Sequence, residues 1–153
     1  MWFSEDTMKF PFFFYGVIYR MPLVSFSVPG QKPKILDGRK RQTMRHPRKP
    51  GSQYIHSGDK LFLWWKSRSR TEKEFLGETV CVKKRLVNLA AVWNDEENAI
   101  ADGFANLTEF RDWFVGGWEN AEETELKAYL ELAEFDIIEW RYPLIKQTRL
   151  EMK

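Results

Sequence analysis

Residues 37–49 read DGRKRQTMRHPRK, with six Lys/Arg side chains and one His. Such a run can grip phosphates, because every phosphate neutralised releases counterions. It also holds Asp37, Gly38 and Thr43, residue types that line small active sites. Phosphate grip and cleft wall are therefore the two chemistries to weigh. Metal chemistry is not among them. His46 and His56 lie ten apart, and no Cys, Asp or Glu spacing completes a tetrahedral set. His46 is instead a candidate phosphate donor. Cys81, the one cysteine, alternates with Val80 and Val82 and reads as a small strand residue, not a nucleophile. A single thiol points to a reducing, cytoplasmic compartment.

Charge is divided along the chain. Residues 1–31 balance, residues 32–85 carry 16 Lys/Arg against 5 Asp/Glu, and residues 86–153 carry 6 against 15. The formal net charge of +2 hides this split. A local excess of that size suits a polyanion. The bland alternative, two halves folding to pair their charges, does not require so many, because surface pairs contribute little. Seven Trp and twelve Phe exceed what a core of this length needs, leaving candidates for base stacking. Trp64 and Trp65 point to opposite faces of one strand, one for the core and one for a base. Which is which stays open, with Trp65 the candidate ligand contact. Trp93, Trp113 and Trp118 read as helix packing.

These residues need elements to position them. At 153 residues the chain suffices for one domain with a proper core. The apolar run FPFFFYGVIY (10–19) is too short to span a membrane and follows acidic residues. Residues 1–20 read as an extension, an add-on or an upstream start read through, with a hydrophobic strand as the alternative. The domain then occupies 21–146, with a tail at 147–153. LVSFSV (23–28) alternates as a strand. KPKILDG (32–38) predicts a helical turn with Ile35 and Leu36 inward and Gly38 at its end. Residues 46–53 form a loop. KLFLWWK (60–66) and FLGETVCVKKRLVNL (75–89) are strands joined by a polar hairpin connection, with Gly77 at a bulge.

After residue 90 the pattern turns helical. A short helix over 93–104 ends at Asp102-Gly103. Asn106 and Glu109 suggest a capping box for 107–114, with Leu107, Phe110 and Phe114 on one face. A second amphipathic helix at 121–133 turns Leu126, Tyr129, Leu130 and Ala133 inward, and FDIIEWRY (135–142) is a closing strand. The order predicts an α+β fold, one small curved sheet with inserted helices. It shows no βαβ alternation and no glycine-rich phosphate loop.

In this order, LVSFSV, KILDGRKRQTMR, GDKLFLWW, LGETVCV, ADGFANLTEFRDWF and FDIIEW resemble the ASCH family of the PUA-like superfamily, over roughly residues 22–142. The resemblance implies a small mixed β-barrel with helices packed on its side, related to RNA-binding PUA domains. One bacterial branch of that family hydrolyses N4-acetylcytidine with a Lys, a Thr three residues later and a Glu near the GF turn. Lys40 and Thr43 match the first two. Asp102 stands at the Glu, one methylene shorter, which can shift a carboxylate enough to lose much of a rate.

Amide hydrolysis needs a nucleophile, a proton shuttle and oxyanion donors. The cations Arg39, Arg41 and Arg45 would lower the Lys40 ammonium pKa, so that Lys40 deprotonates Thr43. Asp102 would protonate the leaving amine, and Arg45 would hold a phosphate or the oxyanion. The expectation is a module binding RNA or a modified nucleoside in a cleft lined by Lys40, Thr43, Arg45 and Asp102. Arg39, Arg41, Arg48 and Lys49 would steer the backbone, and no metal or other cofactor is called for. The alternatives are an amidohydrolase acting on an N4-acylated cytidine and a protein-interaction module with an acidic partner.

Overall fold

The computed structural model describes residues 22–48 and 54–146. Residues 1–20, Lys49 and the 147–153 tail, each given a role above, lie outside them. Five strands and five short helices follow in chain order: β1 (Leu23–Phe26), α1 (Lys32–Asp37), β2 (Gln42–Arg45), β3 (Lys60–Trp65), β4 (Glu74–Asn88), α2 (Leu89–Val92), α3 (Glu96–Ala101), α4 (Leu107–Phe114), α5 (Glu123–Leu132) and β5 (Glu134–Trp140). They build an α+β, PUA-like fold in which a curled, mixed half-barrel sheet carries the helices around it.

The sheet runs β1-β3-β4-β5-β2, with β1 parallel to β3 and every other pair antiparallel. Strand β4 joins the two halves, pairing with β3 along its first part and with β5 along its second. Register shifts opposite Leu63/Trp64 and between Cys81 and Lys83 leave Leu76 and Val82 as extra residues. Such bulges let one fifteen-residue strand bend through the curl. The first confirms the bulge expected near Gly77.

Strands β1 and β2 are therefore the two edges, and the Arg45 guanidinium on β2 donates to the Ser25 carbonyl on β1 across the seam between them. Two cores lie on opposite faces of β5. Ile138 and Trp140 pack with Val24, Phe26, Leu61 and Leu63 inside the curl. Phe135 and Ile137 pack with Met44, Leu89, Phe104, Phe110 and Leu130 under the helices. This two-sided burial is why the adjacent Ile137 and Ile138 are both apolar although they face opposite ways.

Some expectations fail locally. Strand β2 was not expected: QTMR is short and half polar, and it becomes a strand through its pairing with Gln42 opposite Glu139 and Thr43 opposite Ile138. Helix α2, too short for a periodic signal, extends from an Asn88 cap and begins at Leu89, between the strand expected to 89 and the helix expected from 93. Ile35 is buried in α1 but Leu36 is exposed, since a helix of six residues offers the core little more than one position. In α5, Leu130 is buried while Tyr129 is exposed, at the flank of the packed stripe. The Asn106 side chain accepts from the Glu109 N–H as expected, but Glu109 returns its bond to the N–H of Ala105.

Candidate functional site

The site is assembled around the C-terminal end of α3. A helix end leaves carbonyls without intrahelical donors and favours cations there. Here the Ala101 carbonyl accepts from the Arg41 N–H at 3.2 Å. The Asp102 carbonyl accepts from Gln31 Nε2 at 3.1 Å and also from Lys40 Nζ. The Gly103 carbonyl accepts from Lys34 Nζ at 2.9 Å. Gly103 itself has φ +96°, and a Cβ there would sit 2.8 Å from both Gln31 Nε2 and Lys40 Cδ. The glycine of the DGF turn therefore serves twice, taking the left-handed turn and clearing a path for Lys40.

Lys40 Nζ lies 2.8 Å from Asp102 Oδ1, and each residue is only 2% exposed. Burial is the largest influence on both: it pulls the Lys40 ammonium below its usual range and pushes the Asp102 carboxyl above its own, with the mutual attraction opposing each shift. The sequence points to a lysine whose pKa falls through the neighbouring arginines Arg39, Arg41 and Arg45. The structure corrects this: desolvation dominates, and Arg45 and Lys34 add to it. The nearby Met44 backbone N–H also favours the charged form of Asp102, against burial. The shorter aspartate thus reaches Lys40 directly.

This pair forms one wall of a cavity of about 190 Å³ at the β1–β2 seam, also lined by Phe26, Gln31, Thr43, Arg45 and Trp113. Drug-sized ligands occupy about 300–1,000 Å³, so this cavity suits a single ring system. Arg45 has its Nε buried without a hydrogen-bond partner among the described residues, and its guanidinium lies 5.0 Å over the Phe26 ring. Burial lowers its pKa to about 10, so it remains charged at neutrality. Arg45 also lines a broader basin of about 900 Å³ that shares Ser25 and Ser27 with the seam cavity and holds Arg48.

Of the residues singled out in the sequence, Lys40, Thr43, Arg45 and Asp102 come together, and Arg48 stands next to them in the basin. Arg39 and Arg41 do not line either cavity. Arg39 is exposed and pairs with Asp37 at 2.7 Å, which holds the Asp37 carboxyl below its usual range. Arg41 Nε donates to the Gly38 carbonyl, and its guanidinium lies 4.9 Å over Tyr142. Trp65 shares the inward face of β3 with Leu61 and Leu63 and packs on the core, so Trp64 is the outward ring, tilted on Phe75.

The aromatic at the cavity mouth is Trp113, 53% exposed and not the packing residue expected. It sits beside the buried Phe110 and half-buried Phe114 of α4, close enough in phase to be mistaken for core. Gln31 was missed as well. It lies just before α1, and only its contact with Asp102, 71 positions away, gives it a role.

No protein-family model matches the sequence, and no curated protein matches it. Solved structures do match. The crystal structure of an ASCH protein from Zymomonas mobilis aligns with a TM-score of 0.51 at 14% identity, covering 87% of this chain and 78% of that one. Structures of two point variants of the same protein align at 0.45, with 13% and 12% identity; they cover 80% and 87% of this chain and 68% and 80% of theirs. The fold of this chain is ASCH-like.

Proposed function

We propose, from the premise of an ASCH-like fold, that the protein binds RNA or a modified nucleoside with the base in the seam cavity. The observation that carries this reading is the buried Lys40–Asp102 pair in the cavity wall. A fully buried ion pair is a weak source of stability, whereas a cation, a carboxylate and a threonine lining one cavity suit the donors and acceptors on a base edge. Phe26 and Trp113 supply faces for stacking.

A second reading, amidohydrolysis of an N4-acylated cytidine, is favoured by the opposed shifts of Lys40 and Asp102 in a cavity that includes Thr43. In it, neutral Lys40 takes the Thr43 proton as the hydroxyl oxygen attacks the acyl carbon. The C–N bond breaks, the amine leaves with a proton from the Asp102 carboxylic acid, and water hydrolyses the Thr43 ester.

The test is to titrate cytidine and N4-acetylcytidine against Trp fluorescence and to follow cytidine release by chromatography, with Thr43→Val alongside. Binding without release supports the module. Release that Thr43→Val abolishes, with binding retained, supports the enzyme. Neither binding nor release by folded protein overturns both.

A further inference from the structure

The broader basin was not anticipated, because half of it comes from the β3–β4 connection. Arg45 and Arg48 face Lys66 and Arg68 across it, with Ser25 and Ser27 at its side. Glu72 is the one carboxylate among its lining residues, and it is engaged by Lys66 at 2.6 Å. Four cations against one acid leave a strongly positive surface beside the seam cavity.

The turn is fixed onto β1. The Lys66 N–H donates to the Phe26 carbonyl at 2.8 Å, and the Ser67 N–H donates to Ser25 Oγ at 3.0 Å. Lys66 adopts φ +46°, and among the described residues it is the only non-glycine with positive φ. The left-handed region disfavours such a residue, so a lysine in place of glycine is maintained against its local preference. What it brings to the basin is charge. Arg45 is common to both cavities and offers a buried Nε with no protein partner among the described residues.

We propose that this basin is a phosphate subsite, so that the ligand of the seam cavity is a nucleotide whose phosphate is held by Arg45, Arg48, Lys66 and Arg68. The inference rests on the nucleoside reading for the identity of the base and on the basin alone for the phosphate. The phosphate comes either from a free nucleotide or from a strand of RNA, and the charge pattern serves both.

The experiment compares cytidine, cytidine 5′-monophosphate and a short oligocytidylate on wild type, Lys66→Gln/Arg68→Gln and Glu72→Gln. The expected gain on adding the phosphate is about tenfold or more, the worth of one charge-assisted hydrogen bond. The double variant should lose that gain while binding cytidine unchanged, and Glu72→Gln should enlarge it by releasing Lys66. An oligonucleotide that binds more tightly than the monophosphate, with a steeper salt dependence, identifies a strand as the source; equal binding identifies a free nucleotide. Absence of any gain, a gain that survives the double variant, or no binding by any of the three ligands overturns the subsite. Binding of the phosphorylated ligands alone, still dependent on Lys66 and Arg68, would retain the subsite and reject the nucleoside reading.

Discussion

Two lysine–aspartate pairs, one joining the α1–β2 connection to the end of α3 and the other crossing from β4 to β5, are built differently. Lys40 and Asp102 meet at 2.8 Å with side chains only 2% and 3% exposed. Lys84 and Asp136 are 3.7 Å apart with 10% and 9% exposed, and Lys84 Nζ also lies 3.4 Å over the Tyr54 ring. The second pair keeps a little solvent and shares its cation with an aromatic face. The first is sealed, its ammonium divided between a carboxylate and a helix-end carbonyl. Sealing a charge in the wall of a cavity contributes little to stability, and under the proposed reading the Lys40 pair is held for what enters the cavity.

Removing one partner should separate the pairs most. Lys40→Met leaves Asp102 buried without its cation, an error that costs about 3–5 kcal/mol. Lys84→Met leaves Asp136 with the charge of Arg48 nearby and a little solvent, and should cost less, about 1–2 kcal/mol. Urea unfolding of both variants near neutral pH measures the difference. Equal losses would mean that the two pairs are structurally equivalent.

Replacing both partners should reverse the sign. Burial holds Asp102 above 3.8 and Lys40 below 10.5. As pH rises from 3.8 to the folded value of Asp102, the native state keeps a proton that the unfolded chain has lost, so stability falls. As pH rises from the folded value of Lys40 to 10.5, the unfolded chain keeps a proton that the native state has lost, so stability recovers. Between 3.8 and 10.5 lies a trough. Lys40→Met/Asp102→Asn removes both titrations and keeps side chains of similar size. Near neutrality it should be more stable than wild type by about 1–4 kcal/mol, the range for neutral replacements of buried pairs. The margin should shrink toward either pH extreme, and a margin independent of pH would refute the assignment.

The sequence was most legible where a local pattern and the tertiary structure agree. The β1, β3, β4 and β5 strands and the α3 and α4 helices all carry their own periodicity or caps, and the ordered resemblance brought Lys40, Thr43 and Asp102 to one site. What could not be read depends on distant partners. Strand β2 exists because β5 lies beside it, Gln31 matters because of Asp102, and the Lys66–Arg68 turn joins the basin because it docks on β1. Trp113 and Trp65 exchanged their expected roles for a related reason: on a short element, phase alone does not decide which of two neighbouring rings meets the core.

The smallest test asks whether the DGF turn supports the buried pair or only turns the chain. Gly30 and Gly103 both have positive φ, +85° and +96°, but a Cβ at Gly30 would meet nothing within 4 Å. Alanine at either position should cost about 1–2 kcal/mol for the left-handed backbone. Gly103→Ala must in addition displace Gln31 and Lys40, both buried and both bonded to the Asp102 carbonyl. An excess of about 1 kcal/mol over Gly30→Ala is expected, the scale of one hydrogen bond disturbed. That excess should shrink when both alanines are compared in a Lys40→Ala/Asp102→Asn background, where the lysine atoms beyond Cβ are gone and only Gln31 has to move. If it stays undiminished, the close approach of Gln31 alone constrains residue 103, and the glycine is tied to the turn and not to the pair.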